Sequence, residues 1–287
     1  TSVFLPEIGL IDGVEGAVQL ENGLRIGAGG GVYPLAFPDR DWGSDLGFHL
    51  FVDYQPTDSR VFSGTLGYQK TWHNGDADRD AFIARANYNP TDTLWFYGSF
   101  TVDLYTADDT VKGNGLQLTE AWAQARYMPN PGTGASVSYS HYTWPETKQD
   151  DFIYVPISLL EDGRIDRVDL SAWHDIGKDF RLTGRLDYWT DQAGDGLGGE
   201  VDFDWDRIFN SAVALHTAVF YSDGSYIDGM GFRVEARPGS GDLQGLIGYQ
   251  YFRYQTKGMV SGSEYFTEHT LRAGVSWQVN RWYYNLT

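Results

Sequence analysis

From about residue 24 to its end, the chain alternates apolar and polar side chains with a period of two. Between Leu94 and Leu104, one face carries Leu94, Phe96, Gly98, Phe100, Val102 and Leu104, and the other Trp95, Tyr97, Ser99, Thr101 and Asp103. Phe180, Leu182, Gly184, Leu186 and Tyr188 oppose Arg181, Thr183, Arg185 and Asp187 in the same way, and Leu197, Gly199, Val201, Phe203 and Trp205 oppose Gly198, Glu200, Asp202 and Asp204. Successive strand residues point to opposite sides, so such segments are strands with one apolar and one polar face. Helical periodicity is nearly absent, and the fold class is all-β.

Turn signals divide the strands. Glu21-Asn22-Gly23, Pro56-Thr57-Asp58, Pro90-Thr91-Asp92, Asn130-Pro131-Gly132, Gly177-Lys178-Asp179 and Pro238-Gly239-Ser240-Gly241 hold the residues that turn dihedrals favour. Arg207-Ile208 and Asn280-Arg281 are less typical turns. Between them lie longer polar stretches at Trp72–Arg79, Thr106–Gly115, Pro145–Arg164 and Thr256–Glu264. Short turns alternating with longer loops give roughly eight hairpins, hence about sixteen antiparallel strands, with fourteen as the second reading. Paired through the tight turns, both chain ends fall on the long-loop side.

Aromatic residues mark both ends of the apolar faces. Tyr54, Tyr88, Tyr127, Phe180, Trp205 and Trp277 sit beside tight turns, and Tyr68, Tyr139, Tyr188, Tyr221 and Tyr251 near the long loops. From Phe180 to Tyr188 is eight strand steps, about 26 Å along the strand. Tilted as barrel strands are, this covers on the order of 20 Å of membrane, with amphipathic rings at both interfaces. Aromatics scattered through a soluble sandwich or propeller would not fall in two rows on one face.

Charge and length exclude other classes. A net charge of −18 is wrong for nucleic acid, which needs clustered Lys and Arg. No apolar run approaches the roughly 20 residues of a membrane helix, but a closed barrel also satisfies every backbone group in lipid. With no cysteine there is neither a disulfide framework nor a thiolate metal site. The expected architecture is one closed antiparallel transmembrane β-barrel over residues 1–287, with 1–20 set apart as a non-barrel or terminal segment.

In pattern, nearly the whole chain resembles the bacterial outer-membrane porin and porin-like barrels, as in the hairpin Leu271-Arg272-Ala273-Gly274-Val275-Ser276-Trp277-Gln278-Val279-Asn280-Arg281-Trp282. The resemblance implies a bacterial outer-membrane location, the lipid bilayer as a partner, and assembly as a homo-oligomer or within a larger outer-membrane complex. The family usually ends on an aromatic residue, from which Thr287 departs. General porins also fold one long loop inward as a constriction. Pro145–Arg164, with its apolar run Phe152–Leu160, is the candidate for that loop, or equally for a strand extension or small hairpin above the membrane.

The polar faces carry the expected pore-lining charges: Asp53, Arg85, Asp103, Glu120, Arg126, Arg167, Asp169, Arg181, Arg185, Asp187, Glu200, Asp202, Asp204, Arg233, Glu235 and Arg272. Arginines near 167–185 and 233–237 flank an acidic ladder at 200–206, so positive and negative walls are expected to set a transverse field. The expected function is passive diffusion of small hydrophilic solutes with mild cation preference, or an anion site at the arginines. Trp95, Trp122, Trp173 and Trp189 are candidate stacking surfaces for oligosaccharides, and the second functional reading is a saccharide-conducting barrel or polysaccharide-export pore domain. Asp76, Asp78 and Asp80 resemble a loop of calcium ligands without the distal Glu of an EF-hand, and no other cofactor is expected. None of the six histidines lies in a nucleophile or metal motif, so the chain is read as a non-enzyme. The alternatives of another class are a rim-located outer-membrane hydrolase and a structural or partner-binding barrel.

Overall fold

The computed structural model describes residues 2–33, 45–56, 61–109, 111–148, 156–208, 211–240, 242–257, 265–279 and 282–286. The strands are β1 (Asp12–Gln19), β2 (Leu24–Val32), β3 (Asp45–Tyr54), β4 (Phe62–His73), β5 (Asp76–Thr91), β6 (Leu94–Tyr105), β7 (Gly115–Asn130), β8 (Thr133–Thr143), β9 (Arg164–Ile176), β10 (Phe180–Asp191), β11 (Gly194–Trp205), β12 (Val213–Asp223), β13 (Ile227–Ser240), β14 (Leu243–Thr256), β15 (Tyr265–Val279) and β16 (Trp282–Leu286). They pair in chain order from β1 to β16 in one antiparallel sheet. Two compact units divide the chain, Thr1–Arg126 with Ser138–Asp166, and Tyr127–Val137 with Arg167–Thr287.

In the first unit, the usual relation between polarity and burial is reversed. On β3, Leu46, Leu50 and Val52 are exposed while Asp45, His49 and Asp53 are buried. On β4, Leu66 is 64% exposed and its neighbour Thr65 only 3%. Register carries the two faces across the strands: Asp53 opposes Thr65, which opposes Arg85, and Val52 opposes Leu66, which opposes Ala84. The second unit repeats the pattern, with Val201, Val219, Ile247 and Leu271 exposed and Asp202 and Glu235 buried. A soluble protein does the opposite, because exposed apolar surface costs free energy in water.

The connection at residues 72–79 is a correction to the sequence pattern. β4 runs to His73, β5 starts at Asp76, and only Asn74 and Gly75 turn between them, with φ of 53° and 92°. Two successive positive φ values make a turn whose twist matches the flanking strands, and Asn-Gly favours it. Within residues 1–20, Asp12–Gln19 is strand β1, antiparallel to β2, so only the residues before it precede the sheet. Pairing of β5 with β6 shifts register between Tyr88 and Thr91, around Pro90, which has no amide to donate. In the Pro145–Arg164 connection, Ile157–Asp162 forms a short helix, α1. The remainder of that apolar run, 152–155, lies outside the described residues, as do parts of the turns at 57–58, 241 and 280–281 and of the loop at 256–264.

Candidate functional site: the polar faces of the sheet

The segment before β1 lies against part of the polar face of the first unit, over β3 to β5. Leu5 and Ile8 are buried against Phe51 of β3 and Ile83 of β5, and Phe4 stacks on Phe51 with ring centroids 4.6 Å apart. Polar contacts hold the ends of the segment. Ser2 Oγ donates to Glu15, the Val3 amide donates to Glu15 Oε1 at 3.2 Å, and His49 Nε2 lies 2.7 Å from Glu15 Oε2. Arg85 donates through Nη2 to the Phe4 carbonyl and through Nη1 to Glu7, both at 3.2 Å. Asp53 accepts from Thr65 Oγ1 at 2.9 Å, with Arg25 at 3.8 Å. Of the charges expected on this face, Arg85 therefore anchors the segment before β1, and Asp53 is held within the sheet by Thr65 and Arg25. Nothing in the periodicity of residues 2–8 signals this, because the segment is placed by contacts distant in sequence.

Asp103 accepts a two-pronged bond from Arg79, Nε at 2.5 Å and Nη2 at 3.1 Å, and a further bond from Thr119. Trp95 stacks on Tyr97 at 6.0 Å, and Trp122 packs against Tyr97 at 4.9 Å. Thr119 and Trp122 are three residues apart yet both reach the Tyr97–Asp103 face of β6, so strict alternation breaks between them. Glu120 and Arg126 are exposed on β7. The three calcium candidates do not converge. Asp78 accepts from Thr71 and the Lys148 amide, Asp80 from Tyr68 and Lys70, and Asp76 is exposed. Among the described residues, no group of three or more His, Cys, Asp or Glu could hold a metal.

In the second unit the ladders align side chains in rows across β10 to β15. One row reads Arg185, Glu200, Phe220, Gly231, Phe252 and Glu268. The next row towards the Gly177 turn reads Thr183, Asp202, Ala218, Arg233, Gln250 and Thr270, and the one beyond it Arg181, Asp204, His216, Glu235, Gly248 and Arg272. The arginines and the acidic ladder do not form separate walls, which corrects the expected transverse field. Arg185 Nη1 reaches Glu200 at 2.6 Å and Asp202 at 2.9 Å, and Arg233 approaches Glu200 at 3.5 Å. His216 joins Asp204 at 2.7 Å, Arg181 pairs with Asp175 at 2.6 Å, and Arg237 with Glu235 at 2.6 Å. Arg167 bridges Asp169 and Asp187 at 2.9 and 3.5 Å. Opposite charges on adjacent strands neutralise each other locally because their Cβ atoms lie within about 5.5 Å.

Trp173 and Trp189 lie flat over glycines of neighbouring strands. A Cβ at Gly134 would run into Trp173, and one at Gly196 into Trp189. The sequence pattern did not single out Phe220, Phe252, Tyr254 and Phe266 on this face, because their side follows only from the register of β12 to β15.

Two clusters lie elsewhere. Asp166 accepts from Tyr139 at 2.6 Å and from Arg164, and lies 2.9 Å from His141 Nδ1, while His141 Nε2 and Thr143 Oγ1 both meet the Leu118 carbonyl. In the connection between β6 and β7, the Val111 and Lys112 amides donate to Glu146. Burial pushes the Lys112 ammonium below the ordinary lysine value, and Glu146 pulls it the other way.

No protein-family profile and no curated protein matches the chain. Among solved structures, it is similar to one described as the NanC porin in a rhombohedral crystal form, with 12% identity over 82% of this chain and 94% of that chain. The TM-score is 0.33, a likeness too slight to carry an argument.

Proposed function

We propose that the chain closes into a transmembrane β-barrel of the bacterial outer membrane and serves as a pore for small hydrophilic solutes. The observation that carries this reading is the reversed burial in both units, with Leu66 and Val201 exposed beside buried Thr65 and Asp202. A lipid-facing apolar surface around a polar interior accounts for it, and closure leaves no unpaired strand edge in lipid. No described helix is long and apolar enough to cross a membrane, so the strands are the crossing elements of this reading.

The polar faces then line the lumen. Their ion pairs keep the charges fixed without a strong transverse field, and the acidic excess of the chain favours cations mildly. The segment Ser2–Ile8 takes up part of the lumen and narrows the path. The Tyr139–His141–Asp166 cluster has a structural part in this reading, tying β8 to β9.

Liposome swelling tests the reading. Heat-modifiable, refolded protein in liposomes should admit small neutral and cationic solutes at rates that fall with solute size. Swelling no faster than in empty liposomes would contradict it.

A further inference from the structure

We propose that Phe220, Phe252, Tyr254 and Phe266 form a stacking track for neutral saccharides on the polar face of the second unit. The proposal rests on the pore reading, in which that face borders the solute path, and names a class of solute for it.

Register brings the four rings together. Phe220 and Phe252 flank Gly231 in one row, and Tyr254 and Phe266 are direct partners in the next. Ring centroids are 5.6 Å apart for Phe220–Phe252, 5.0 Å for Phe252–Tyr254 and 5.7 Å for Tyr254–Phe266. The last two pairs are nearly parallel, at 21° and 27°. Glycines on β13 let the rings lie down. A Cβ at Gly231 would come within 2.6 Å of Phe220 Cζ, and one at Gly229 within 2.9 Å of Phe252 Cε2. Phe220, Phe252 and Tyr254 are half-buried and Phe266 is 42% exposed, so the four rings keep accessible surface.

The surroundings select the ligand. Glu200 and Glu268 end the Phe220–Phe252 row on either side, and Arg233 and Gln250 stand in the row beside it. Apolar ring faces bordered by fixed acceptors and donors suit a solute with both C–H faces and hydroxyls, which is a pyranose. Glu268 accepts one bond, from Thr270 Oγ1 at 3.2 Å, and an ionised carboxylate can accept several. Glu200 is paired with Arg185 at 2.6 Å and lies 3.5 Å from Arg233, so the charge beside the rings is locally balanced and the class is neutral.

The test uses the full refolded chain and a neutral linear gluco-oligosaccharide, with polyethylene glycol of matched size as the control for crowding. Single-channel recordings are paired with titration calorimetry in detergent micelles. The oligosaccharide should interrupt the current and give a saturable heat where polyethylene glycol does neither. Phe252→Ala with Tyr254→Ala should weaken both by at least about tenfold, the usual loss for an aromatic anchor. Tyr254→Phe should retain binding. Open channels without sugar block, or block unaltered by the double substitution, would overturn the track and leave the pore. Saturable heat without any channel would keep the track and remove the pore. Absence of heat would overturn the track whatever the channels do.

Discussion

Leu5 occupies the space that a side chain at residue 67 would need: a Cβ at Gly67 would come within 2.5 Å of Leu5 Cδ1. That glycine on β4 admits the segment Ser2–Ile8 to the polar face. Gly67→Val should expel Leu5, with a loss of about 1.5–3 kcal/mol from its lost burial. Under the pore reading, the variant's channels should conduct more than the wild type. Leu66→Val, on the apolar face, should leave conductance unchanged. Equal conductance in the Gly67→Val variant would mean that the segment does not narrow the path.

The second prediction concerns lipid exposure. Val201 is 55% exposed and its neighbour Asp202 is 1% exposed. Val201→Arg should cost about 2–4 kcal/mol for folding into liposomes if the residue faces the bilayer interior. Folding yields against urea in liposomes measure it. A neutral effect would place Val201 in water and contradict the assignment of faces.

The ion pairs make a third. Arg185 holds Asp202 at 2.9 Å, but the arginine side chain is half exposed. Arg185→Ala should therefore destabilise by about 1–3 kcal/mol, because it removes the nearest cation of the buried Asp202 carboxylate and leaves only His216 at 3.5 Å and Arg233 at 3.9 Å. Adding Asp202→Asn should restore part of that loss. A double-mutant cycle by urea unfolding measures this coupling, and additive losses would show that the pair contributes nothing.

How much of this was legible in the sequence varies with the distance over which each contact acts. The faces of Leu94–Leu104, Phe180–Tyr188 and Leu197–Trp205 follow from alternation alone, and the ladders keep them. Asn74-Gly75 was hidden among polar neighbours, so two extended strand ends read as a loop. β1 was hidden because Gly16 leaves only Val14 and Val18 to mark its apolar face, and Gly13 and Ala17 leave only Glu15 and Gln19 to mark the polar one. The arginines and acids of the second unit were all visible, but their pairing needs the register of β10 to β13. The anchoring of residues 2–8 by Arg85 and their packing on Phe51 and Ile83 depend on contacts with strands far along the chain.

Lys112 gives a prediction outside the strands. Burial lowers its pKa, so the folded state binds that proton more weakly than the unfolded chain does. The cost is full below the folded pKa and fades as pH rises from there to the ordinary lysine value. Lys112→Met should raise stability at neutral pH, and the gain should shrink as pH approaches the ordinary lysine range. Unfolding midpoints of both proteins across that range measure it. A gain that grows with pH would contradict the sign.

Single-channel recording in a planar bilayer across a salt gradient tests the central claim most directly. The refolded protein should insert with discrete open steps, and its reversal potential should lean towards the cation. A folded, heat-modifiable protein that yields no conductance steps would contradict the pore.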